Sequence, residues 1–347
     1  MPARDPTTLI RERGSPAQLY VYVRGRVVLS EFYRCQPDSQ FFLFSAGKPL
    51  VALGVHLLAE RGTLALDEPV AAYWPEFAQR GKHAITIRHV LQHRGGLPVA
   101  RGMPLDALVM TDWAASVRAI ARAAPAYPPG EVPAYHILTF GFILGEVVQR
   151  VTGRPVRDFL RDDLLTPLGV QDVYVGLPPD QWDRHVPVDG RGPAELVTQL
   201  AINRRATRQA VIPAASVSAT AAGLAGLYQA LLDGGRGVLR RETIVAATRP
   251  SSDGAVDRYL RLPIRWSEGF QLGGERPGGA RLGGGFAPMG SLASRQAFGH
   301  NGSYVCLGWA DPERRIAMAY LTSRLVSRSA GARHMSAVSD AVLTAFG

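Results

Sequence analysis

With 347 residues, 46% of them hydrophobic and 20% charged, the chain has the balance of an ordinary globular protein and enough apolar material for a large core. No apolar run approaches the roughly 18–20 residues of a membrane span, and the opening MPARDPTTLIRERGSPAQ has no apolar stretch of an export signal; a cytoplasmic location without a membrane partner is expected. The net charge of +10 rests on 39 basic residues, two lysines and therefore 37 arginines, scattered rather than gathered into a stripe, and without a reading module they do not predict nucleic-acid binding.

Gln18–Tyr33 (QLYVYVRGRVVLSEFY) alternates around Gly25 and reads as a β-hairpin. From Ser45 the segment SAGKPLVALGVHLLAERG has helical periodicity, with Pro49 in the first turns and Gly62 as a stop. A short helix within ITIRHVLQHRGGLP should end in the Gly95-Gly96 turn. Residues near 104–124 look helical, and after the Pro-rich APAYPPGEVPAY a helix is expected from about Tyr135 to Thr152, closed by Gly153. Pro155–Leu165 and Ala219–Leu232 are further helices. Residues 273–290 are so rich in glycine that they read as a mobile loop. Strands at Ser303–Ala310 and Arg315–Thr322, joined at Asp311-Pro312-Glu313, precede a last helix from about Ala330 to Phe346. Cys35 and Cys306 read as buried free thiols.

This order predicts an α/β (α+β) fold, an antiparallel sheet flanked by N- and C-terminal helices with a mainly helical lobe inserted. All 347 residues form one catalytic domain in this reading, the sheet lobe about 1–75 and 265–347 and the helical lobe about 76–264. The active site is expected between the lobes.

The chemistry is carried by Ser45-Ala46-Gly47-Lys48. A chain that uses arginine almost everywhere keeps a lysine where arginine cannot serve, because only lysine readily gives up its proton when its surroundings lower its pKa. Ser and Lys at i and i+3 share a helix face. At a helix N-terminus, burial and the dipole both disfavour the ammonium, and free N–H groups can hold an oxyanion. A neutral Lys48 could then take the proton of Ser45 in acyl transfer. Tyr135, ahead of an apolar helix, is placed to shuttle a proton, and the run Gly299-His300-Asn301-Gly302-Ser303 before a strand permits close approach of substrate to backbone, with the Ser303 N–H as second oxyanion donor.

Together these pieces resemble the serine β-lactamase and penicillin-binding-protein superfamily, in particular the branch of class C β-lactamases and family VIII carboxylesterases. Ser45–Lys48 matches that family's S-x-x-K, Tyr135-His136-Ile137 its Tyr-x-Asn, and His300-Asn301-Gly302 its Lys-Thr-Gly box. HLLAERGTLALDEPVAAYWPEF, ITIRHVLQHRGGLP, GEVVQRVTGRPVRDFL and LGWADPERR match its framework. The resemblance implies catalysis by Ser45, Lys48 and Tyr135, an oxyanion hole from the N–H groups of Ser45 and Ser303, and substrate contacts from His136, His300, Asn301 and Gly302. It implies no cofactor. Ile137 replaces the Asn and His300 the box lysine, which points away from β-lactams and toward neutral small-molecule esters or amides.

Hydrolysis is therefore expected, with transfer to an alcohol or amine acceptor as the alternative and a catalytically silent binding protein as a third reading. His83, His89 and His93 include an i, i+4 pair, but no Glu lies between them and no fourth ligand is evident, so no metal is expected. Oligomeric state is not legible at this level.

Overall fold

The computed structural model describes residues 5–274 and 287–347; most of the glycine-rich segment read as a mobile loop, residues 275–286, lies outside the described residues. Eight strands form an antiparallel sheet: β1 (Ala17–Val23), β2 (Arg26–Tyr33), β3 (Ser252–Asp257), β4 (Leu262–Trp266), β5 (Gln271–Leu272), β6 (Phe298–Gly302), β7 (Cys306–Asp311) and β8 (Ile316–Thr322). Their spatial order is β2-β1-β8-β7-β6-β5-β4-β3, so the hairpin β1–β2 joins the C-terminal strands directly.

Period-two alternation sorts the side chains of β8 between two covers. Ile316, Met318 and Tyr320 pack with Leu9 and Ile10 of helix α1 (Pro6–Glu12) and Met335 and Val338 of the last helix, Arg328–Phe346. Ala317, Ala319 and Leu321 belong to the other core, with Leu224, Ala225 and Tyr228 of the helix Ala221–Leu232. The centre of the sheet is therefore buried on both faces, as the antiparallel, helix-flanked reading requires, while the edge strands β2 and β3 are largely exposed.

Several local expectations are corrected. Strands β3 and β4, residues 252–266, belong to the sheet although their sequence carries Gly254 and Pro263; β3 is an edge strand, and the irregularity between Asp253 and Val256 absorbs the glycine. Gly299–Gly302 does not lead into a strand at Ser303 but is itself part of β6, and Ser303 and Tyr304 turn the chain with φ of 48° and 55°. The helix expected from Tyr135 begins at Thr139. Residues near 104–124 form two helices, Met103–Val109 and Trp113–Arg122. Cys306 is buried but Cys35 is only half-buried; both are free thiols.

Candidate active site

A short three-stranded ribbon, Phe41–Phe42 against Val217–Ala219 and Val173–Val175, delivers the chain to the site. The Leu43 N–H donates to the Val217 carbonyl at 2.8 Å, after which Phe44 takes a left-handed φ of 49°. A non-glycine residue there costs on the order of 1–3 kcal/mol and persists only where its surroundings hold it; Phe44 is buried with its ring edge-on to Phe42 at 5.0 Å. The kink starts a short 3-10 turn, Phe44–Gly47, that runs into helix α2 (Lys48–Glu60). Pro49 falls in the first turn of α2, where no intrahelical N–H bond is lost. Gly47 has no room for a side chain, since a Cβ would lie 2.4 Å from a methyl of Val217.

Half-buried Ser45 is thus presented at the head of α2 with fully buried Lys48 beneath it. Lys48 Nζ lies 3.2 Å from Ser45 Oγ, 2.8 Å from the Ile137 carbonyl and 3.3 Å from the Ala214 carbonyl. It also stands 4.7 Å from the centre of the Tyr135 ring. Burial pushes its pKa well below the usual ammonium value. In the neutral amine the two carbonyls take both N–H groups, and the lone pair is left for the hydroxyl of Ser45.

The segment before helix α3 (Thr139–Thr152) is extended and laid against the Gly-Gly turn. The N–H groups of Ala134 and Ile137 donate to the carbonyls of His93 (2.8 Å) and Pro98 (3.0 Å), and that of His136 to His93 Nδ1 (3.1 Å). His93, itself at φ 57°, is a main-chain brace, and its burial pushes its pKa far down. The Tyr135 N–H donates to Asp257 Oδ1 at 3.2 Å, while its ring lies parallel to Trp266 at 5.4 Å. Trp266 Nε1 donates to Asp257 Oδ2 at 3.2 Å, so one buried carboxylate holds both partners of the stack. The Tyr135 hydroxyl faces the same cleft as Ser45, and burial raises the phenol pKa, which keeps it protonated near neutrality.

Strand β6 forms the opposite wall. Gly302 presses on the turn so closely that a Cβ would sit 1.8 Å from the Leu43 carbonyl oxygen. Among the described residues neither the Ser45 nor the Ser303 N–H has a hydrogen-bond partner. His300 is buried, its Nδ1 2.7 Å from the Asn301 carbonyl and its Nε2 without a partner among the described residues. Burial, helped by Lys48, pushes its pKa down to about 3, so it is neutral at any ordinary pH. Asn301 is pinned by Gln271, whose Oε1 accepts from its Nδ2 at 2.8 Å and its N–H at 3.2 Å.

Ser45, Tyr135, His300, Asn301 and Ser303 line one cleft of about 270 Å³. His136, expected to touch substrate, does not reach it. It is fully buried, with Nδ1 donating to the Ala134 carbonyl at 2.8 Å and Nε2 accepting the Leu97 N–H at 3.3 Å. Gly302 acts at the wall's back rather than as a lining residue. Among the described residues no cluster of His, Cys, Asp or Glu could hold a metal ion; His89 instead caps its helix, its Nδ1 accepting from the Thr86 N–H at 3.3 Å. The carbonyls of Ile137 and Ala214, Asp257, Trp266, Gln271 and Arg328, a charged residue at the cleft, were not singled out from sequence. A carbonyl has no side-chain signature, but Trp266 in a run with Arg265 was a signal open to a strand reading.

The beta-lactamase family profile matches residues 9–341. The chain belongs to the beta-lactamase family. It is an enzyme of the serine-hydrolase class within it. This beta-lactamase-family chain is 32% identical over 326 residues to the protein named Esterase/beta-lactamase LipL of Mycobacterium tuberculosis (strain ATCC 25618 / H37Rv), a match covering 84% of this chain and 70% of the relative. It is 33% identical over 162 residues to Esterase EstB of Burkholderia gladioli, covering 42% and 41% of the two chains. Among solved structures, a family VIII carboxylesterase superposes with a TM-score of 0.83 at 25% identity, covering 99% of this chain and 98% of that one. A penicillin-binding-protein homologue from Caulobacter crescentus gives 0.80 at 29% identity, over 99% and 98%. Among the described residues no helix is long and apolar enough to cross a membrane.

Proposed function

We propose that the protein is a carboxylesterase-like hydrolase of small neutral esters or amides that works through an acyl-enzyme on Ser45. The observation that carries this reading is the seat of Lys48, a buried amine whose two carbonyl contacts leave its lone pair for Ser45 Oγ. Lys48 takes the hydroxyl proton as Ser45 Oγ bonds to the carbonyl carbon. The N–H groups of Ser45 and Ser303 hold the oxyanion in this reading. Tyr135, protonated and on the same cleft as Ser45, passes a proton to the departing alkoxide or amine and recovers it from Lys48. Water then adds to the acyl carbonyl and releases the acid; a bound alcohol or amine in its place would complete a transfer.

The names of similar proteins support the ester side: one relative is called an esterase/beta-lactamase, another an esterase, and a similar structure is a family VIII carboxylesterase. The neutral His300 supports an uncharged group beside the scissile bond. Arg328, exposed at the cleft, leaves a place for a negative group further out.

The test is intact-mass spectrometry after treatment with a fluorophosphonate, alongside rates on p-nitrophenyl esters and a cephalosporin. One adduct on the Ser45 peptide and esters turned over far faster than the cephalosporin are expected. Labelling that survives Ser45→Ala, or equal rates on both substrates, would overturn the reading.

A further inference from the structure

The helix Pro193–Ile202 is built inside out. Its polar residues tie it down: Gln199 Oε1 accepts the Gly190 N–H at 2.7 Å, and Asn203, just beyond its end, exchanges hydrogen bonds with the N–H and carbonyl of Val188, each 2.9 Å. Only Ile202, at its C-terminal end, is buried in the core; the larger apolar residues before it face away. Leu196, Val197 and Leu200 are 45%, 69% and 70% exposed, and at i, i+1 and i+4 they make one stripe. Scattered exposed leucines need no explanation, but a helix that turns its apolar side to water while its amides face the protein marks a contact surface.

Charge identifies the occupant. From residue 191 to 205 the formal charges are Arg191, Glu195, Arg204 and Arg205, so cations bracket the apolar stripe at both ends. All three arginines are exposed, and Arg205 lies over the Trp182 ring at 5.1 Å, adding an aromatic to the same flank. Glu195 is partly buried against the main chain of Gly190 and Gly192, and Asp189 is shared between Arg324 at 3.0 Å and the exposed Arg191 at 3.8 Å, which leaves Arg204 and Arg205 as the cations of this run with no acidic partner inside it. Apolar side chains flanked by arginines and an aromatic suit the boundary between acyl chains and anionic headgroups. The helix is tied to one wall of the cleft: Gln199 accepts from the Gly190 N–H, Gly190 pairs with Leu325, and Leu325 and Val326 line that cleft.

We propose that the face formed by Leu196, Val197 and Leu200 docks on an anionic lipid surface, with Arg191, Arg204 and Arg205 against its headgroups. The helix lies on the surface and does not span it, which revises the expectation of no membrane partner without requiring a transmembrane segment. The cleft is then held next to the place where amphiphilic esters collect.

The experiment is partitioning of the full chain onto vesicles of phosphatidylcholine alone and of phosphatidylcholine mixed with phosphatidylglycerol, with light scattering for oligomeric state. Binding to the anionic vesicles on the order of tenfold stronger than to the neutral ones is expected, weakening with salt. The triple variant Leu196→Ser, Val197→Ser, Leu200→Ser should lose on the order of tenfold in that binding, while its rate on a soluble p-nitrophenyl ester stays that of the parent and shows the fold intact. Arg204→Glu with Arg205→Glu should remove the preference for phosphatidylglycerol and leave any binding to phosphatidylcholine unchanged. Absent binding, equal binding by the active triple variant, or a dimer that the triple variant abolishes would overturn the proposal, the last by assigning the face to a second copy of this chain.

Discussion

The chain's two lysines sit in two regions built almost alike and set to different ends. Both side chains are buried, and both are held by main-chain carbonyls rather than carboxylates. Lys82 meets three: Gln79 at 2.8 Å, Ala121 at 3.0 Å and Ala123. Three acceptors match the three donors of an ammonium, and the amine has no lone pair to offer while it keeps its charge. Its pKa is pushed down to about 8, by burial first and then by Arg80. Lys48 meets two carbonyls and one hydroxyl, and its pKa is driven well below the usual value by burial with no opposing anion. Replacing one carbonyl by a hydroxyl separates a staple between segments from the proposed base. Scarcity of lysine marks both positions, but only Lys48 faces a group that can give up a proton, which is what the proposed acyl transfer needs.

The widest separation between the two regions should come from charge-preserving substitution. Lys48→Arg and Ser45→Ala should each lower kcat/KM on a p-nitrophenyl ester by about 3–5 kcal/mol of transition-state stabilisation, since arginine cannot become a neutral base. Lys82→Arg, assayed on the same ester, should keep kcat within a few-fold of the parent; a loss as large as that of Lys48→Arg would erase the distinction.

A smaller effect should follow from loosening what holds Tyr135 over Lys48. Asp257→Ala removes the acceptor of the Tyr135 N–H and of Trp266 Nε1, and about 1–3 kcal/mol is expected from such a buried group. The loss should fall on kcat more than on KM, while fluorophosphonate labelling of Ser45 persists at a reduced rate. Unchanged kcat would mean that the stack positions nothing of consequence.

The smallest effect is on stability and belongs to Lys82. Its folded pKa of about 8 lies below the 10.5 of a lysine in water, so between the two the unfolded chain binds more protons. Stability should therefore rise with pH across that window, and the destabilising contribution is present in full below it. Denaturation midpoints of the parent and Lys82→Met, compared on either side of the window, should converge or cross as pH rises; parallel curves would show that Lys82 titrates as it does in the unfolded chain.

What could be read from the chain beforehand follows a physical line. The hairpin, α2 and the last helix were legible because period two and period 3.6 are strong over those lengths. The serine–lysine pair was legible because two rare events coincide at a helix spacing. Strands β3 to β6 were not, since Gly254, Pro263 and the glycines of β6 break the alternation that a strand reading needs. Tyr135 was placed in the right cleft for the wrong local reason: tertiary hydrogen bonds to the turn at His93–Pro98, and not a helix start, fix it. His136 shows the opposite error. Its type and neighbour suggested a contact with substrate, but both ring nitrogens are spent on main-chain partners that adjacency in sequence does not disclose. Ile137 is the subtler case. The Asn side chain of the family pattern is absent, and what this residue offers Lys48 is its carbonyl, at 2.8 Å.

Gly302 makes the two halves of the site a single mechanical unit. With 1.8 Å between its virtual Cβ and the Leu43 carbonyl oxygen, β6 cannot shift toward the nucleophile's turn, and any residue larger than hydrogen would drive the two apart. The gap between the Ser45 and Ser303 amides is accordingly gauged by a spacer of no thickness. Leu260, Val326 and Arg328 line the same cleft and take no part in that contact. In the proposed mechanism, substrate range and oxyanion geometry then rest on different residues, so a change of preferred ester need not disturb the machinery that opens it.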